Sequence, residues 1–153
     1  MARANTYAAV LGWFHERGLT HPYYARLRRL VGAIGFLGPI LWTELAKCEN
    51  NEATPGMLPL QTFRTCTSAF LQREVSLLPA DWVLIAVGAE AYKGLAYRFP
   101  ERSVIGVPHP AGSHGHFRAL FIDGSLASGP ARQAQAIIGA PGQAAWLSAK
   151  GGV

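Results

Sequence analysis

The residues best suited to chemistry in this 153-residue chain cluster late in it. His109, His114 and His116 share one short stretch with Gly112 and Gly115. Imidazoles at this spacing can hold zinc, but no carboxylate or thiol stands beside them to complete a ligand set. The competing reading is that one histidine donates a hydrogen bond to a ligand carbonyl while the glycines let the backbone approach a phosphate. Cys48 and Cys66, the two cysteines, cannot build a disulfide framework or complete a metal site by themselves. Gly32-x-x-Gly35-x-x-Gly38 has a superficial likeness to a dinucleotide-binding fingerprint. Its spacing is wrong and it precedes a strand pattern instead of following one, so it reads as packing and helix termination.

These residues need elements to position them. Tyr7 to Arg17 and Pro22 to Phe36 carry helical spacing. In the second, Tyr23, Leu27, Leu30, Val31 and Ile34 form an apolar stripe, with Arg26, Arg28 and Arg29 largely off it. Pro22 suits a first helical turn, and Gly38-Pro39 stops what precedes it. Ile40 to Leu45 reads as a buried strand, followed by a polar loop with Pro55, Gly56 and Pro59. Thr62 to Leu78 is expected to be a helix burying Phe63, Cys66, Phe70, Val75 and Leu78. Trp82 to Val87 is the clearest strand, a continuous apolar run of the kind found in parallel sheets covered on both faces. Gly88 ends it, Ala89 to Tyr97 forms a crossover helix, and Ser103 to Val107 is a third strand ending at Pro108-His109-Pro110. Residues 131–138 and 143–149 read as helices. Strands alternating with helices predict a parallel α/β sheet with ligands beyond the strand carboxyl ends, where Glu44, Gly88 and His109 all fall.

Half of the residues are hydrophobic and 15% are charged, which excludes a disordered chain. Length indicates one domain spanning residues 1–153. Fourteen Lys and Arg against nine Asp and Glu give a net charge of +5, which suits a polyanionic partner such as nucleic acid or, equally, a basic solvated surface. The longest apolar stretch, Leu30 to Trp42, is shorter than the ~20 residues of a membrane span and is interrupted by Pro39. Without a secretory signal pattern, a soluble, cytoplasmic protein with no membrane partner is expected.

An ordered set of short motifs then stands out: Thr43-Glu44-Leu45-Ala46-Lys47-Cys48, Cys66 with Leu71 and Glu74, Leu78-Pro79, Val83 to Gly88 with Ala91, and His109-Pro110. Over about residues 22 to 120 the chain resembles the iron–sulfur branch of the uracil-DNA glycosylase superfamily. The resemblance implies a three-layer α/β/α sandwich with a short parallel sheet, and a base-excision hydrolase of N-glycosidic bonds acting on a deaminated or otherwise modified base in DNA. A glycosylase extrudes its base from the stack and holds it by its edge. In that scheme His109 donates to the base carbonyl that gains charge as the bond breaks. Glu44, Tyr23 and Gly88 would line the base, and Lys47, Ser113, His114, Phe117 and Arg118 would contact DNA, with Phe117 or His114 as a wedge in the duplex.

The chain also departs from the pattern. The family's base-reading Asn is Glu44 here. A carboxylate only accepts hydrogen bonds, so it suits a donor-rich edge such as an exocyclic amine better than uracil; a solvent-facing or arginine-paired Glu44 is equally open. Nothing before Pro22 reproduces the Gly-Glu-x-Pro-Gly loop that positions the attacking water, and Glu16, the nearest acid, falls in a helical pattern. Cys48 and Cys66 stand where the second pair of cluster ligands would be, and half a set cannot hold a [4Fe–4S] cluster. No cofactor is therefore expected unless the missing pair is supplied elsewhere. Two accounts stay open: an N-terminally incomplete glycosylase, or a compact, diverged member lacking the first strand and first motif that binds nucleic acid without catalysis.

Overall fold

The structure, a computed structural model, describes residues 20–45 and 59–149. The expected helix at Tyr7 to Arg17, Lys47, Cys48 and the polar loop to residue 58 lie outside the described residues. The chain forms a mixed helix–strand fold divided into two compact units. The first takes residues up to Leu37, Pro108–Gln135 and Leu147 onward; the second takes Gly38–Val107 and Ala136–Trp146.

In the first unit, helix α1 spans Pro22–Ile34 and buries Leu27, Leu30, Val31 and Ile34, as its 3.6-residue periodicity predicts. Each such aliphatic contributes about 1.5–3 kcal/mol on burial. Pro22 opens the first turn, and the His21 Nδ1 accepts the Tyr23 amide at 3.3 Å. The helix stops at Gly35, two residues earlier than the pattern suggests. Gly35 lies at φ 101°, and the Phe36 amide donates back to Val31 O at 3.1 Å. Gly35 thus has the helix-terminating role expected of it.

The same unit contains a 3-10 turn at Arg118–Leu120 and a two-stranded hairpin of β3 (Phe121–Ile122) and β4 (Ser125–Leu126), joined through Asp123-Gly124 at φ 49° and 87°. α1 packs against β4, and the Arg29 guanidinium sits 5.0 Å from the centre of the Phe121 ring.

In the second unit, strands β1 (Leu84–Val87), β2 (Val104–Val107) and β5 (Ala144–Trp146) form a parallel sheet in the order β1-β2-β5. Helix α4 (Ala89–Arg98) makes the crossover from β1 to β2. Leu84, Ala86 and Val104 form a core with Phe99 and with Leu71 and Val75, from the helical segment α2 (Leu60–Cys66), a π-turn (Thr67–Leu71) and α3 (Gln72–Ser76). Buried Arg102 forks onto Pro79 O at 2.7 Å and Trp82 O at 3.4 Å, fastening the turn between α3 and β1. Helix α5 (Ser128–Ile137), whose residues to Gln135 belong to the first unit, precedes β5 in the chain.

Three sequence expectations are corrected here. Residues 40–45 form no strand; Ile40 is 40% and Leu41 54% exposed, so the apolar run is not buried in the sheet. Residues 143–149 are not a helix. Tertiary pairing overrides the helical preference of Ala144 and Ala145: Val104 N–H donates to Gln143 O at 2.9 Å, and β5 completes the sheet beside β2. Phe70 is 47% exposed and Leu71 is buried in its place. The π-turn supplies the reason. Thr67 Oγ1 donates to Phe63 O at 2.7 Å and Arg64 O at 3.2 Å, and the widened turn moves the buried position on by one residue.

Gly106, at the centre of the sheet, is required by close approach: a Cβ there would stand 2.5 Å from the Tyr92 ring and 2.6 Å from that of Trp146. Gly106→Ala is expected to destabilise the protein by about 2–3 kcal/mol through overpacking. Chemical denaturation measures this, and an unchanged midpoint would contradict the packing described.

Candidate functional site

The chain leaves β2 at Val107 and enters the histidine loop at Pro108, in the first unit. Within that unit, α1 holds the loop at two points one turn apart. The Tyr23 ring lies 5.2 Å from that of His109, tilted by 49°. Arg26 Nη1 donates to Pro110 O at 2.7 Å. Helical periodicity places residues three apart on one face, so α1 contacts both members of the His109-Pro110 pair. Tyr23 is half-buried, whereas His109 is exposed.

The His109 Nδ1 faces the backbone of Ala111. The Ala111 amide donates to it at 3.2 Å, and the Ala111 carbonyl oxygen also lies against it. One nitrogen cannot serve both roles in the same protonation state. As acceptor of the amide, Nδ1 is unprotonated and Nε2 carries the N–H of the neutral ring. As donor to the carbonyl, Nδ1 carries the proton and Nε2 becomes the acceptor. The first state offers a neutral hydrogen-bond donor.

Beyond Pro110, a pocket of about 360 Å³ is lined by Arg26, Pro110, Ala111, Gly112, Ser113, His114, Gly115, Phe117 and Arg118. Its volume falls at the small end of the range for small-ligand sites. Ser113, His114, Phe117 and Arg118, all selected from sequence, come together here. Arg26 was assigned only to the polar side of α1, and nothing in a linear pattern shows that it reaches residue 110.

Phe117 is corrected as a duplex wedge. It is 4% exposed and packs 5.8 Å from the Phe121 ring, so it belongs to the core. His114 is exposed, at φ 49°.

Among the described residues of this unit, Arg26, Arg28, Arg29, Arg118 and Arg132 face a single carboxylate, Asp123, in the hairpin turn. The second unit is balanced: Arg64, Arg73, Lys93, Arg98 and Arg102 against Glu44, Glu74, Asp81, Glu90 and Glu101. The excess positive charge of the described chain therefore belongs to the unit that carries His109.

Glu44 and Gly88 belong to the second unit. Glu44 is exposed and pairs with no described residue, while its neighbour Thr43 donates to Glu74 Oε2 at 2.5 Å. Gly88 joins β1 to α4 at φ 93°, ψ 154°, a combination essentially restricted to glycine, and its amide donates to Val107 O at 2.8 Å. That backbone requirement explains the glycine without a ligand.

Cys66 is fully buried in α2, and no three His, Cys, Asp or Glu among the described residues gather into a metal site. No described helix is long and apolar enough to cross a membrane. Comparisons with protein-family models, known proteins and solved structures find no match to this chain.

Arg26→Met removes the strut to Pro110 while keeping a good helix former. It is expected to cost about 1.5 kcal/mol, lowering the thermal midpoint by roughly 4 °C. It should also shift the His109 ring resonances. A variant with unchanged stability and an unmoved His109 spectrum would show that the strut does not hold the loop.

Proposed function

We propose that this protein is uracil-DNA glycosylase-like: a DNA-binding hydrolase of N-glycosidic bonds that takes a deaminated or otherwise modified base against His109. The observation that carries this reading is the juxtaposition of His109 with Tyr23 and with an arginine-lined pocket, on a unit with five described arginines and one carboxylate. An aromatic ring, a hydrogen-bond donor and cationic groups are the elements needed to stack, hold and anchor an extruded nucleotide. The family's three-layer sandwich belongs to the same proposal; a β2 strand buried at every position supports it.

In this reading the bond between the sugar C1′ and the base nitrogen breaks, its electron pair passes to the base, and negative charge gathers on a base carbonyl oxygen. His109 Nε2–H, with Nδ1 accepting the Ala111 amide, donates to that oxygen and lowers the barrier. Water adds at C1′ and gives up a proton to solvent, and the departed base anion takes one up, leaving an abasic sugar and a neutral free base.

A second reading, a nucleic-acid-binding module without hydrolysis, is favoured by one observation. The described part of the His109 unit has no carboxylate except Asp123 in the hairpin turn, so nothing described there activates water.

Duplex and single-stranded oligonucleotides carrying uracil or hypoxanthine separate the two. The hydrolase reading predicts alkali-labile abasic sites, reduced about 100-fold or more by His109→Ala. Salt-sensitive binding with no abasic product selects the binding module. A folded protein that neither cuts nor binds overturns both.

A further inference from the structure

We infer that the pocket beyond Pro110 is a phosphate-binding site, built by Arg26, Arg118, Ser113 and the amides of residues 112–115 and distinct from the base-facing ring of His109. The inference rests on the nucleic-acid reading above for its ligand and adds where a phosphate of that ligand is held.

Four observations converge. First, two guanidinium groups line the pocket, and neither Arg26 nor Arg118 forms an ion pair with a described carboxylate. Arg26 spends Nη1 on Pro110 O and keeps its other N–H donors. Second, no carboxylate lines the pocket, so nothing there repels an anion. Third, the Ser113 Oγ accepts the Phe117 amide at 3.3 Å, which leaves its hydroxyl proton to donate elsewhere. Fourth, none of the amides of Gly112, Ser113, His114 and Gly115 donates to another described residue. Gly112, His114 and Gly115 all have positive φ, and consecutive unpaired amides in such a turn form the type of concavity that binds oxyanions. Donors without matching acceptors call for an acceptor-rich, negatively charged ligand, and a phosphate has that chemistry.

Arg26 serves both sides of the loop, since the side chain that lines the pocket also holds the carbonyl of the residue after His109. A phosphate in the pocket would therefore sit against the support of the base-facing ring.

The test uses the full-length, isotope-labelled protein and follows backbone amide resonances during titration with inorganic phosphate. Signals of Gly112, Ser113, His114 and Gly115 are expected to move and saturate. Arg118→Gln, at an exposed position, should raise the half-saturating concentration about tenfold. Ser113→Ala should raise it by a smaller factor, with the rest of the spectrum preserved. Signals that stay fixed, or that move identically in both variants and the unmodified protein, overturn the proposal. Thymidine oligonucleotides with and without a 5′-phosphate distinguish the source. Equal competition with inorganic phosphate identifies internal phosphodiesters, and preference for the phosphorylated strand identifies a terminal monoester. A phosphate-free deoxynucleoside tests the base reading separately, through the ring resonances of Tyr23 and His109. Rings that ignore the nucleoside while the loop amides respond to phosphate would reject the base site and keep the pocket.

Discussion

The hydrogen bond from Arg26 to the Pro110 carbonyl is the constraint on which the geometry around His109 depends. The loop from Pro108 to Phe117 is rich in glycine and has no regular secondary structure, so its internal bonds define little by themselves. A charge-assisted bond from a packed helix supplies a fixed point, and the Tyr23 ring supplies a second beside it. Both contacts inherit their precision from the buried stripe of α1, whose aliphatic residues fix the rotation of the helix about its axis. Arg29, one turn further along, extends the arrangement to the hairpin through Phe121. Three side chains at successive turns of one helix therefore set the orientation of the loop and of the hairpin.

The two units solve different physical problems. The second is a small parallel sheet whose central strand is buried throughout, with its charges balanced and Arg102 tied to backbone carbonyls. Such a body is suited to rigidity. The first concentrates unbalanced positive charge and unpaired amides in a loop held by its helix. Field strength at a surface grows when like charges are not neutralised by neighbours, so the positive potential is concentrated on this unit.

Much of the frame was legible in the sequence. The α1 stripe, the β1–α4–β2 crossover and the position of the histidine loop after β2 follow from periodicity and from the uninterrupted apolar runs. What was not legible depends on contacts between distant residues. β5 consists of Ala144, Ala145 and Trp146, a composition that suggests a helix until β2 offers an unpaired edge. The exchange of Phe70 for Leu71 comes from one threonine hydroxyl competing for backbone carbonyls, which a 3.6-residue template cannot register. The β3–β4 hairpin had a readable signal in Asp123-Gly124, a favoured two-residue turn, that the apolar pattern around it obscured. For the site, Ser113, His114 and Arg118, singled out from sequence, line one pocket, but Arg26 is 84 residues from its partner in sequence and no local rule links them. Phe117 illustrates the converse: an aromatic residue in a polar loop resembles a wedge until the core claims it.

The first unit is also discontinuous along the chain, joining α1 to residues 108–135 and to Leu147. On the ribosome, α1 emerges long before Pro110, Phe121 and β4 exist to receive it. Its apolar stripe and its arginines must wait, solvated or loosely held, while the whole of the β1–α4–β2 crossover is synthesised. The β1–α4–β2 part of the sheet is contiguous and can pair during that interval, whereas β5 joins it only after the histidine loop has been made. The contacts of the histidine loop to α1 are thus among the most distant in sequence that the first unit makes, and such non-local contacts are the slow ones to form.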